Sequence, residues 1–209
     1  MRQEPQRAVD MAEELMAIAR RERFSLYLGF GPVVLGWALG MSGQEDRGAA
    51  LMLEGLEALP AGLPFRALYA AMQAEVYRKG RRIREALAAL DGAVAVVRGS
   101  DAHLWEPELY RLRGEIGLLA GEAEVDAEHW LQQSLQTARR QQARFLELRA
   151  ALALYRLKGR GDDAGEARER LTSIQKGFSE GFATADMMEA RRVMDASQHQ
   201  GITPTVGSP

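Results

Sequence analysis

Apolar residues in this chain recur at helical spacing and almost nowhere in alternation. Ala8, Met11, Ala12, Leu15, Ile18 and Ala19 form one stripe, Leu112, Ile116 and Leu119 a second, and Leu131, Leu135 and Ala138 a third. Recurrence every three to four positions marks a helix with one buried face, whereas a half-buried strand alternates. The stripes are interrupted at Gly43, Pro60-Ala61-Gly62, Gly80, Gly99-Ser100, Gly121 and Gly159-Arg160-Gly161. That punctuation predicts about ten helices of ordinary length and no sheet.

A longer period lies over the short one. The stretches LGWALGMSGQEDRGAALML (35–53), QAEVYRKGRRIREALAAL (73–90) and RGEIGLLAGEAEVDAEHWL (113–131) share one plan. Each has a helix with a small residue near its middle, a glycine or basic turn, and a second helix of mixed small and large apolar residues. The small residues Gly36, Ala74 and Gly114 lie 38 and 40 positions apart, slightly more than the roughly 34 of a tetratricopeptide repeat. Gly114 sits mid-helix in WEPELYRLRGEI (105–116), where glycine costs about 1 kcal/mol against alanine. A partner backbone pressing on that point explains its presence, and Pro107 suits the first helical turn, where its missing N–H costs nothing.

Leu35-Gly36, Tyr77, Ala86-x-x-x-Leu90-x-x-Ala93 and Pro60 match the tetratricopeptide pattern. The chain resembles the degenerate tetratricopeptide region of bacterial class III adenylate/guanylate cyclase–ATPase fusions and of related signalling ATPase transcriptional regulators. WEPELYRLRGEI, ARRQQARFLELRAALAL (138–154) and EGFATADMMEARRVMD (180–195) carry that resemblance, which spans about residues 8–196. It implies an all-α, right-handed tetratricopeptide-like solenoid of helix-turn-helix repeats. A partial leading repeat falls at 1–24, repeats at 25–60, 63–98, 104–141 and 144–177, a capping helix at 178–196 and a disordered tail at 197–209. The leading helix without its partner suits a fragment of a longer array, and the setting implied is the bacterial cytoplasm.

Composition narrows the chemistry. The 209 residues carry a net charge of −2, no cysteine and no asparagine. That balance points away from nucleic acid and from membrane surfaces, and it removes disulfides and thiolate sites. The apolar stretch 24–41 is broken by four glycines and Pro32 and is short for a membrane span. GFGPVVLG (29–36) lacks the Lys-Ser/Thr ending that a phosphate loop needs, and no metal-binding carboxylate pair of the cyclase kind is present. His103, His129 and His199 lie too far apart in sequence to form a metal-spaced pair. No cofactor is expected, and the predicted function is a non-catalytic scaffold for protein or intramolecular regulatory contacts. A small-ligand sensor and an enzyme with an unrecognised cleft are the alternatives.

Projecting the repeat register predicts where a protein or peptide partner, or a neighbouring domain, would bind. The first helices of successive repeats should line a concave face and place Trp37, Glu75, Arg78, Glu108, Arg111, Glu115, Arg149 and Arg156 on it. Trp37 and Glu75, like Arg111 and Arg149, are 38 residues apart. Trp and Arg often dominate interface energies. The competing expectation is that Trp37 is core and that the Arg and Glu side chains pair across repeats; burial of Trp37 decides that half of the question. Tetratricopeptide clamps for chaperone tails use Asn and Lys, and the matching positions Trp37, Glu75 and Arg78 offer neither.

Overall fold

Helices can end only where their last carbonyls find donors, and one device does this repeatedly along the chain. The computed structural model describes residues 5–60, 63, 65–99, 103–158 and 164–199. Over these run α1 (Pro5–Arg21), α2 (Ser25–Met41), α3 (Glu45–Ala58), α4 (Arg66–Lys79), α5 (Ile83–Arg98), α6 (Glu106–Leu119), α7 (Glu124–Arg140), α8 (Arg144–Lys158), α9 (Ala164–Lys176) and α10 (Ala185–His199). Among the described residues there is no strand. The chain is all-helical over these residues, as the apolar spacing predicts; of the tail expected at 197–209, residues 197–199 continue α10 and residues 200–209 lie outside the described residues.

Five turns close with the same hydrogen bond. The N–H groups of Phe24, Gln44, Arg82, Glu122 and Ala143 donate to the carbonyls of Ala19, Leu39, Tyr77, Gly117 and Ala138 at 2.8–3.0 Å. This six-to-one closure needs a left-handed residue just before the donor. Those residues are Arg23, Gly43, Arg81, Gly121 and Gln142, with φ of 57°, 98°, 60°, 87° and 55°. Glycine takes that conformation freely; arginine and glutamine carry a steric cost there. The turns at 22–24 and 141–143 hold no glycine, which is why the glycine punctuation does not mark them. α3 ends differently, at an extended Leu59 before Pro60.

Every helix packs on the next. α2, α4, α6, α8 and α10 also meet in succession, whereas the backbones of the odd-numbered helices do not approach one another. The even helices therefore form an inner layer and the odd helices an outer one, the arrangement of a helix-turn-helix repeat. α4 and α6 are buried on almost all sides: Tyr69, Met72, Ala74 and Val76 lie in the core with Leu109, Leu112 and Ile116. The small residues sit where the layers touch most closely. A Cβ on Gly36 would lie 2.5 Å from the Gly48 carbonyl oxygen, and one on Gly114 would lie 2.9 Å from the Ala127 oxygen and 3.1 Å from Leu131 Cγ.

The predicted stripes are only partly buried. Ala12, Ala19, Leu112, Ile116, Leu131, Leu135 and Ala138 are core, but Met11, Ile18 and Leu119 are exposed. α1 touches one helix alone, α2, so only one flank of its broad apolar face is covered. The core also divides. One apolar cluster runs from Val9 to Ile116 and a second from Leu131 to Ala190.

Two outcomes follow from this packing. Gly114→Leu should lower unfolding stability by more than about 2 kcal/mol, because the added side chain meets backbone on α7; chemical denaturation measures it. Gln142→Gly should raise stability by up to about 1 kcal/mol by removing a left-handed Cβ, read as a higher melting temperature.

Candidate functional site

Charged residues at helical repeats share a face. On α6, Glu108, Arg111 and Glu115 stand three and four positions apart, and on α8 Arg149 and Arg156 stand seven apart, so each set projects from one side of its helix. The inner layer turns these sides towards one another. Glu108 is 1% exposed and Arg111 6%, and they form a two-pronged pair: Arg111 Nε donates to Glu108 Oε2 at 3.0 Å and Nη2 to Oε1 at 2.7 Å. Arg111 Nη1 reaches Glu115 at 2.7 Å. From α8, Arg149 Nη1 lies 2.8 Å from Glu108 Oε1 and its Nη2 3.8 Å from Glu75 on α4. Arg156 reaches Glu115 at 3.6 Å.

The network extends at both ends. At one end the Trp37 indole N–H donates to Glu75 at 3.4 Å. At the other, α10 supplies Asp186, 3.6 Å from Arg149 Nε, and Glu189, which pairs with Arg156. Five helices of the inner layer are thus tied by one chain of contacts. Arg149 is its hub, with carboxylates from α4, α6 and α10 around it.

Of the eight residues predicted to line a partner surface, seven come together here, and they are committed to one another. Trp37 is 5% exposed, so it is a core residue and not a docking residue. The correction has a plain cause: its ring packs in the first apolar cluster and its one polar atom is taken by Glu75. Glu75, Glu108 and Arg111 are likewise buried, paired across repeats as the competing expectation has it. Glu115 and Arg149 keep little exposure and Arg156 more. Arg78 stands apart, exposed, its side chain without a partner among the described residues. Val33 on α2 and Leu152 on α8 are core as well.

Five carboxyl groups meet three guanidinium groups in this network, so the acids cannot all be equally well matched. Burial alone would raise the Glu108 pKa. The charges of Arg111 and Arg149, with the Arg111 hydrogen bond, outweigh it and hold Glu108 at about 2. Glu75 goes the other way. Its burial, reinforced by the Glu108 charge, raises it above the ordinary carboxyl range against the pull of Arg149, Arg111 and the Trp37 hydrogen bond. Burial also disfavours the Arg111 charge, but Glu108 and Glu115 more than offset this and keep the guanidinium protonated.

Sequence reasoning missed Asp186 and Glu189, although a signal was present. Asp186 stands 37 residues after Arg149, one repeat further along the register. It also missed Arg113, whose guanidinium holds Glu122 through two hydrogen bonds of 2.7 and 3.0 Å and Asp91 at 2.7 Å, tying α5 to the α6–α7 turn. His103 pairs with Glu106 and His129 with Gln133. No group of three metal-ligating side chains occurs among the described residues, and no described helix is long and apolar enough to cross a membrane.

No family model and no curated protein matches the chain. Among solved structures, the crystal structure of BtubC (BKLC) from P. vanneervenii is similar, with a TM-score of 0.68 over 99% of this chain and 96% of that one. At 17% identity the likeness concerns the fold.

The opposite pKa directions give an acid titration with a definite sign. Glu108 adds stability that is fully present above its ordinary pKa near 4.5 and is lost as pH falls towards 2. Glu75 subtracts stability above that range, and the loss disappears when it is protonated. Glu108→Gln should therefore cost about 3 kcal/mol at neutral pH, leaving Arg149 and Arg111 undermatched, and should flatten the acid limb of the stability curve. Glu75→Gln should cost distinctly less. Urea unfolding between pH 2 and 7 measures both.

Proposed function

We propose that the chain is a non-catalytic helical-repeat scaffold that holds a protein partner, or a neighbouring domain of its own chain, on the aromatic end of its inner layer. One observation carries this reading. Tyr27, Phe30, Val34, Trp37 and Met41 recur along one side of α2, and the rings on that side run outwards from the buried Trp37. Phe24, Tyr27, Phe30 and Tyr69 follow one another at centroid distances of 6.2, 6.0 and 5.8 Å. Burial falls along that line until Phe24 is 52% and Tyr27 45% exposed.

Exposed rings anchored to buried ones make good interface contacts, because they offer large apolar area with little conformational freedom to lose. Arg20 and Arg23 flank them, with side chains unpaired among the described residues. The matching partner presents an apolar anchor bordered by acidic groups. The ionic chain through the inner layer supports the same reading, since it fixes the relative positions of five helices before any partner arrives. A place beside a signalling ATPase or cyclase module rests on the resemblance of the quoted stretches alone.

Site-specific photo-crosslinking in the native host tests the surface. A crosslinking residue at Tyr27 should give discrete protein adducts, lost on Phe24→Ser, while one at the exposed Val125 on the outer layer should not. Adducts from position 125 alone would overturn the assignment to the aromatic end.

A further inference from the structure

A polar groove on the outer side of the molecule lies apart from the aromatic end. It is open, with a volume of about 570 Å³, and is lined by Arg98, Tyr110, Gln133, Gln136, Thr137 and Arg140, together with Arg139. Arg98 is the last residue of α5, Tyr110 comes from α6, and the others share one side of α7. Beside it Tyr110 lies against Trp130 with centroids 5.5 Å apart, and the Arg98 guanidinium sits 5.7 Å from the Trp130 ring.

The charges around this groove do not cancel. Arg139 is matched by Glu147 at 2.7 Å. Glu106 accepts from the Tyr110 hydroxyl at 2.5 Å and faces His103 at 3.3 Å. Arg98 hydrogen-bonds the Tyr110 oxygen and Arg140 donates to Thr137 Oγ1 at 3.0 Å, and neither is paired with a carboxylate among the described residues. One acceptor is also left over. Gln133 Oε1 is shut off from solvent and receives no hydrogen bond, a costly state for a buried amide oxygen.

We propose that this groove docks an extended acidic segment of a partner protein. Two unmatched guanidinium groups are suited to carboxylates, which they bind with paired, charge-assisted hydrogen bonds. The exposed Gln136 amide is suited to the peptide backbone between those carboxylates. Attraction to an acidic segment is local, since the chain as a whole carries a net charge of −2.

Fluorescence anisotropy at low salt provides the test, with a labelled decapeptide of alternating Glu and Ala as probe and its Gln counterpart as control. The Glu peptide should bind at least about tenfold more tightly than the Gln peptide. The double variant Arg98→Gln/Arg140→Gln should weaken the Glu peptide by about tenfold or more, and raised salt should weaken it further. Arg84→Gln/Arg192→Gln, which removes two exposed arginines elsewhere, should leave binding unchanged. Gln136→Glu keeps both groove arginines and should still weaken binding, which holds the test open if loss of Arg98 loosens Tyr110; circular dichroism checks that each variant folds. Equal binding of the two peptides, equal loss in the two double variants, or tighter binding of a labelled oligothymidylate at the same groove would each overturn the proposal.

Discussion

A carboxylate sealed inside a helical layer is stable only if positive charge is sealed in with it. Burying an ion without a partner costs several kcal/mol, and breaking a buried pair leaves that cost exposed. Glu108 stands in this position, and what surrounds it follows from that requirement. Arg111 meets it through both prongs of a guanidinium from the same helix, and Arg149 reaches it from the next inner helix. Arg149 can reach both Glu108 and Glu75 only if α4, α6 and α8 keep one relative placement. The layer's geometry and the ionisation of Glu108 are therefore mutually dependent. Apolar packing alone would not impose this, because the core is divided into two clusters and hydrophobic contact is non-directional.

That dependence explains which parts of the molecule could be read from the sequence. The helices were legible because apolar spacing and helix geometry are the same fact stated twice. The register of about 38 residues was legible because a small residue is needed wherever two backbones press together, as at Gly36 and Gly114. Projecting that register correctly brought Trp37, Glu75, Glu108, Arg111, Glu115, Arg149 and Arg156 to one face. It could not say whether the face meets solvent or closes on itself, because that depends on how far a side chain on one helix reaches past its neighbour. Arg149 reaches across α6 to Glu75, and nothing in the local pattern encodes a contact between residues 74 positions apart.

Two other failures have local causes. The turns at 22–24 and 141–143 use Arg23 and Gln142 in a left-handed conformation that glycine would normally mark. There the hydrogen-bonded closure of the helix outweighs a steric cost of about 1–2 kcal/mol. The α10 acids Asp186 and Glu189 fall outside the projected face because the repeat pattern marks their helix as a cap. Yet it is the next member of the inner layer, with Met187 and Ala190 fully buried in the second apolar cluster and both acids paired with arginines of α8.

Neutralising the charges of the inner layer from within has consequences for where the protein can meet others. An incoming peptide would have to displace pairs such as Arg149–Glu108 and then bury the same charges again, so the gain from each new contact is offset by one lost. Surfaces without that competition are the ones where apolar or charged groups are left uncommitted. The aromatic line ending at Phe24 and Tyr27 is one, and the Arg98–Arg140 groove is another. They lie at different places in the fold, one in the inner layer near its start and one on the outer side around α7. The ionic chain through α2, α4, α6, α8 and α10 holds the layer between them at a fixed geometry. On the proposed reading, a rigid middle with uncommitted surfaces on either side sets the separation at which one chain holds two binding elements.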